Sequence, residues 1–120
     1  MSIDEFTQLL SELEVLDFNR ACALGELVND NGYGSLFLRI KGKDKVISVQ
    51  SENGVLKSIL YPLQSEGLDF STLESGFNKV NTHYNHHDDE NVSVFSVGGN
   101  PVFEAFEREG KVLRIKYFNY

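Results

Sequence analysis

The stretch VSVFSVGGNPVFEAFEREGKVLRIKYFNY, residues 92–120, reads as three strands joined by two tight turns. Val92 to Val97 runs into Gly98-Gly99-Asn100-Pro101, Val102 to Arg108 into Glu109-Gly110, and Lys111 to Phe118 follows. The last segment alternates, with Leu113, Ile115 and Tyr117 pointing one way and Val112, Arg114, Lys116 and Phe118 the other. That period of two is the signature of a sheet packed on one face. The remainder of the chain must supply the cover.

Two helices are predicted at the start. Ser2-Ile3-Asp4-Glu5 has the spacing of a capping box, and Ile3, Phe6, Leu9, Leu10 and Leu13 recur at helical intervals behind it. Asp17 can cap a second helix carrying Phe18, Ala21, Cys22, Leu24, Leu27 and Val28, with Gly25 as a weak point and Asn31-Gly32 as its stop. From Ser35 the period changes. Leu36, Leu38 and Ile40 alternate with Phe37, Arg39 and Lys41, Gly42-Lys43-Asp44 turns into Val46 to Gln50, and Glu52-Asn53-Gly54 turns into Val55 to Tyr61. Asn53-Gly54 is the strongest hairpin signal, because both residue types tolerate positive φ. Beyond Pro62, Ser71-Thr72-Leu73-Glu74 repeats the capping-box pattern, and Phe70, Leu73, Phe77, Val80 and Tyr84 are spaced for a third helix over about residues 71–83.

The expected order is ααβββαβββ: one α+β domain over residues 1–120, with an antiparallel sheet of about six strands. N-terminal helices and one mid-chain helix pack on it. The two strand triplets suggest a duplication, although their sequences do not align convincingly.

The 120 residues carry a net charge of −7, unevenly spread. Residues 1–34 hold −6, 35–62 hold +3, 63–110 hold −7 and 111–120 hold +3. An acidic surface repels phosphate backbones and anionic membranes, and it speeds encounter with a basic partner by roughly 10 to 1,000-fold at low salt. The start Met1-Ser2-Ile3-Asp4-Glu5 lacks the basic and apolar regions of a signal peptide, and the lone Cys22 cannot form an internal disulfide, so a cytoplasmic protein is expected.

Candidate chemistry concentrates between His83 and Glu90. His83, His86, His87, Asp88, Asp89 and Glu90 could supply metal ligands, but His83-Tyr84-Asn85-His86-His87 has no glutamate after its first histidine, as a zinc protease requires. Cys22, flanked by alanines on an amphipathic segment, reads as a small packed side chain. Gly32-Tyr33-Gly34 precedes a strand and not a helix, so it is no phosphate loop. Phe37 with Arg39, Lys41, Lys43, Lys45, Lys111, Arg114 and Lys116 has the composition of a single-stranded nucleic-acid platform, which the overall charge opposes. No catalytic residue, metal site or cofactor is assigned, and no enzyme activity is expected. Asp88, Asp89, Glu90, Glu104, Phe106, Glu107 and Tyr120 instead suggest an acidic rim around aromatic anchors, the composition of a protein-binding hot spot.

In size, acidity and element order, and in segments such as Asp88-Asp89-Glu90 and Glu104-Ala105-Phe106-Glu107, the chain resembles bacterial immunity proteins, the inhibitors of contact-dependent and other polymorphic toxins. The resemblance implies a monomer or weak dimer that binds one basic partner, a toxin domain such as a nuclease, and blocks it. It transfers no individual residue role. The order of elements is also similar to type III secretion chaperones, dimers that hold an extended effector segment, but the last predicted element is a strand where that family has a helix. A hydrolase built on the His83 to Glu90 loop is the third reading.

Overall fold

Helix α1 (Ile3–Glu14) starts where the capping box places it. The Ser2 hydroxyl accepts from the Glu5 amide at 3.1 Å and the Glu5 carboxylate from the Ser2 amide at 3.0 Å. These bonds favour the ionised carboxylate and hold Glu5 below its ordinary pKa. Phe6, Leu9 and Leu13 form the buried stripe. The structure is a computed structural model that describes residues 1–119.

The second predicted helix is cut short. Helix α2 (Phe18–Cys22) is capped by Asp17, whose carboxylate accepts from the Arg20 amide at 2.8 Å, but Gly25 then opens strand β1 (Gly25–Asp30). Gly25 lies so close to the next strand that a Cβ there would fall 1.9 Å from the Arg39 carbonyl oxygen. This contact needs glycine, and glycine is also a poor place to continue a helix. Leu27 and Val28, expected on an apolar helix face, are 60% and 51% exposed on the strand.

Strands β2 (Ser35–Ile40), β3 (Val46–Glu52) and β4 (Val55–Pro62) match the predicted meander. Asn53 and Gly54 take φ of 53° and 76°, the paired positive angles of a tight hairpin. A 3₁₀ turn (Gln64–Glu66) leads to helix α3 (Phe70–Gly76), which ends seven residues before the predicted His83. A Cβ on Gly76 would meet the Ile3 side chain at 2.7 Å, so the helix stops where it touches α1. Phe77 is extended, and strand β5 (Asn78–Asn85) follows in place of the helix's last turns. The spacing of Val80 and Tyr84 after Phe77 fitted one helical face, yet both are exposed strand residues. Strands β6 (Glu90–Val97), β7 (Asn100–Arg108) and β8 (Lys111–Phe118) form the C-terminal meander as predicted.

Among the described residues the sheet has eight strands, not about six, in the antiparallel order β1-β2-β3-β4-β8-β7-β6-β5. The two additional strands, β1 and β5, are the edges. The architecture is α+β, with all three helices burying side chains in one cluster: Phe6, Leu9 and Leu13, Ala21, and Leu73, against Ile47, Ile59, Phe95, Phe103 and Ile115. One detail of β8 departs from simple alternation. Leu113 is skipped between the pairs Phe106–Arg114 and Glu107–Val112, and this bulge brings Val112 into the core with Ile115 and Tyr117 while Leu113 is only half-buried.

The duplication becomes legible in the strand register. The β3–β4 hairpin skips Lys57 as β7–β8 skips Leu113, 56 positions on; Asn53-Gly54 and Glu109-Gly110 occupy the same turn, with φ of 53° at both Asn53 and Glu109. Leu56, Ile59 and Tyr61 stand where Val112, Ile115 and Tyr117 stand. The outer hairpins agree as well, β1 skipping Val28 and β5 skipping Val80, 52 positions on. The same interval relates Leu16-Asp17-Phe18 to Leu68-Asp69-Phe70 ahead of α2 and α3. Two four-stranded units thus meet through β4 and β8, with Leu60 paired to its own counterpart, Lys116, at a local two-fold axis. Helix α1 has no full-length counterpart: the single 3₁₀ turn takes its place in the second unit.

Candidate protein-binding site

The predicted acidic rim does not assemble as one surface. Asp88 and Asp89 are exposed in the β5–β6 connection, which is pinned by its neighbours. Arg108 donates from Nε to the Asp89 carbonyl at 2.9 Å and from a terminal nitrogen to the Asp88 carbonyl at 2.6 Å. The Asn85 amide donates to the Asp88 carboxylate at 3.1 Å, and the Tyr84 hydroxyl donates to Asp89, which raises the Tyr84 pKa.

Glu90 and Glu107, expected on the rim, are internal. Glu90 is 1% exposed, and an Arg114 nitrogen lies 2.5 Å from its Oε1 while the same guanidinium lies 4.3 Å from the centre of the Phe106 ring. Glu107 accepts from the Asn91 side chain at 2.7 Å and from the Gly110 amide at 2.9 Å. A buried carboxylate must be paired or hydrogen-bonded, and both acids meet that need within the fold rather than offering charge outward. Glu104 is half-buried between its cross-strand neighbours Val94 and Lys116, and Phe106 is half-buried beneath Arg114. Tyr120 lies outside the described residues.

The histidines are dispersed too. His83 sits on β5 opposite Val92, and His86 packs edge-on against Tyr84 at 4.6 Å. Among the described residues no group of three or more His, Cys, Asp or Glu side chains is placed to hold a metal ion. Cys22 is half-buried, and burial raises its pKa, as expected of a packed thiol. The proposed basic platform is partly consumed by ion pairs: Lys45 lies 2.5 Å from Glu66, Lys111 pairs with Asp69, and Arg114 with Glu90.

Exposed acid remains in quantity on α1. Asp4, Glu5, Glu12 and Glu14 all face solvent, and the helix contains no lysine or arginine. Grooves run along both sides of it. One, of about 430 Å³, lies between α1 and Tyr61 and is lined by Asp4, Gln8, Leu9, Glu12 and Lys43 among others. The second, of about 520 Å³, lies between α1 and Tyr117, with Leu10, Glu14 and Pro101 in its walls. Tyr61 and Tyr117 are repeat counterparts, so α1 straddles the two-fold axis with one tyrosine on either side. Burial raises both phenol pKa values, aided by the negative charges of Glu66 and Glu12 near Tyr61 and of Glu14 near Tyr117. The sequence signals only half of this, the acid-only composition of α1; the grooves join segments about 50 residues apart (Glu12 and Tyr61), which no local pattern shows.

No family model, curated protein or solved structure matches the chain. No helix among the described residues is long and apolar enough to cross a membrane.

Proposed function

We propose that the protein is a small acidic inhibitor that binds one basic protein partner and neutralises it, the role implied by its resemblance to bacterial immunity proteins, with a toxin domain such as a nuclease as the partner. The observation that carries this reading is the uncompensated acid on the outer side of α1. Asp4, Glu12 and Glu14 are exposed and enter no ion pair among the described residues, while the buried or half-buried acids Glu90, Glu107 and Glu66 are each paired or hydrogen-bonded. Charge that the fold does not use is available for association. Asp88 and Asp89, exposed on a pinned turn, are a separate acidic patch in the β5–β6 connection.

The test is affinity purification from lysate of the source cell at low and high salt, with retained proteins identified by mass. A single basic protein, held one-to-one and loosened by salt, is the expected result, and addition of the chain should silence that protein's activity. Retention of acidic proteins only, or of a basic one indifferent to salt, would sink the reading.

One observation favours the second reading, a chaperone for an extended segment. Edge strand β5 has no buried residue, and Val80 is 60% exposed, so its free side offers a template for an added strand. An unfolded effector segment as the ligand, in place of a folded basic domain, would decide for it.

A further inference from the structure

The groove between α1 and Tyr61 differs from its counterpart in a way that specifies a ligand. Tyr61 forms its floor and is only 7% exposed, yet its hydroxyl, like that of Tyr117 in the other groove, makes no hydrogen bond among the described residues, so the difference lies in the charges around it. The hydroxyl is not sealed from solvent, so at the groove its bonding capacity is open to a ligand. The ring already accepts a cation on one side, with Lys45 Nζ 5.4 Å from its centre. Asp4 and Glu12 flank the groove without ion-pair partners; Glu66 at its end is occupied by Lys45, and the lining cations outside an ion pair among the described residues are Lys43 and the Met1 ammonium, which donates to the Glu66 carbonyl oxygen. Leu9 supplies an apolar wall for an aliphatic stem. A hydrogen-bonding floor, carboxylates at the rim and an apolar wall are complementary to a long cationic side chain.

We propose that this groove takes an arginine or lysine side chain of the basic partner, seating its cationic head between Glu12, Asp4 and the Tyr61 hydroxyl. The proposal rests on the inhibitor reading and assigns it an anchoring position. The opposite groove supplies the control. Tyr117 has the same place in the repeat and the same 7% exposure, but its groove carries Glu14 as its one charged lining residue and Leu10, Pro101 and Val102 as apolar neighbours.

The test titrates the full isotopically labelled chain with Nα-acetyl-arginine methylamide and, separately, with the uncharged norleucine analogue, following amide and tyrosine ring resonances. Saturable shifts centred on Leu9, Glu12 and Tyr61 are expected for the arginine probe alone. Glu12→Gln and Tyr61→Phe should each weaken binding by about tenfold, the loss of one hydrogen bond to a charged group, while Tyr117→Phe leaves it unchanged. Both tyrosine substitutions keep the ring, and thermal unfolding of each variant confirms the fold. Diffuse, unsaturable shifts along α1, or equal effects of Tyr61→Phe and Tyr117→Phe, would overturn the assignment. Failure here is separable from failure of the function. A salt-sensitive basic partner that binds the wild type and Tyr61→Phe alike removes the groove and keeps the inhibitor; a saturable arginine site in a chain that retains no basic protein does the reverse.

Discussion

Glu90 is a carboxylate that water does not reach, on the face of the sheet opposite the helices. Its Oε1 is met by Arg114 at 2.5 Å, while Oε2 has no hydrogen-bond partner among the described residues. Arg114 retains 30% of its side-chain exposure, so the two ends of the pair are unequal. Removing the arginine leaves a buried charge without compensation, whereas neutralising the glutamate leaves a cation that can turn to water. Arg114→Met should therefore destabilise by roughly 3–5 kcal/mol, and Glu90→Gln by only about 1–2 kcal/mol. Denaturant unfolding of the two variants and of the double variant checks this. The double variant should be more stable than Arg114→Met alone, and equal losses in the single variants would mean that the pair is not buried as described. None of this is legible in Asp88-Asp89-Glu90, where three consecutive acids read as a solvated run. The residue that internalises the third lies 24 positions away, across two strand pairings.

At the level of elements, what the sequence revealed and what it hid divide along contact range. Helix α1 is announced by its own capping box, and the hairpins by Asn53-Gly54 and Glu109-Gly110, because caps and turns are settled within four residues. The edge strands β1 and β5 were hidden. Each follows a short helix, each is mostly exposed on both faces, and each therefore lacks the alternation that burial imposes. The apolar residues Leu24, Leu27 and Val28, or Phe77, Val80 and Tyr84, then fell at helical intervals by accident. The repeated Leu-Asp-Phe at residues 16–18 and 68–70 is the trace that would have exposed both strands together. The two aspartates differ in duty. Asp17 accepts the Arg20 amide at 2.8 Å as a helix cap, whereas Asp69 makes no side-chain cap and pairs with Lys111 on the surface. Asp17→Ala should cost about 1 kcal/mol, and Asp69→Ala a smaller amount, between about 0 and 1 kcal/mol, that salt reduces. Chemical denaturation in low and high salt separates them, since capping loss persists in salt and surface ion-pair loss does not.

For the whole molecule, the two units share a sheet but could still unfold separately if β4 and β8 were their one connection. Helix α1 prevents that. Phe6 packs edge-on against Phe77 and Phe103, ring centres 5.6 and 5.3 Å apart, in the second unit, while Leu9 and Leu13 line a pocket with Tyr61 and Ile40 of the first. One helix on the local axis thus completes both half-cores, and it introduces an asymmetry, with several carboxylates along the Tyr61 groove and Glu14 alone along the Tyr117 groove, that makes the two sides of a nearly two-fold scaffold distinct. Truncating a fully buried phenylalanine costs roughly 3–5 kcal/mol, and at position 6 the loss should fall on both units. Phe6→Ala is expected to lower the amide-exchange protection of β3 and of β7 together, with one coincident unfolding transition by circular dichroism and tyrosine fluorescence. If β7 loosened while β3 kept its protection, α1 would belong to the second unit alone, and the coupling between units would have to reside in the β4–β8 pairing.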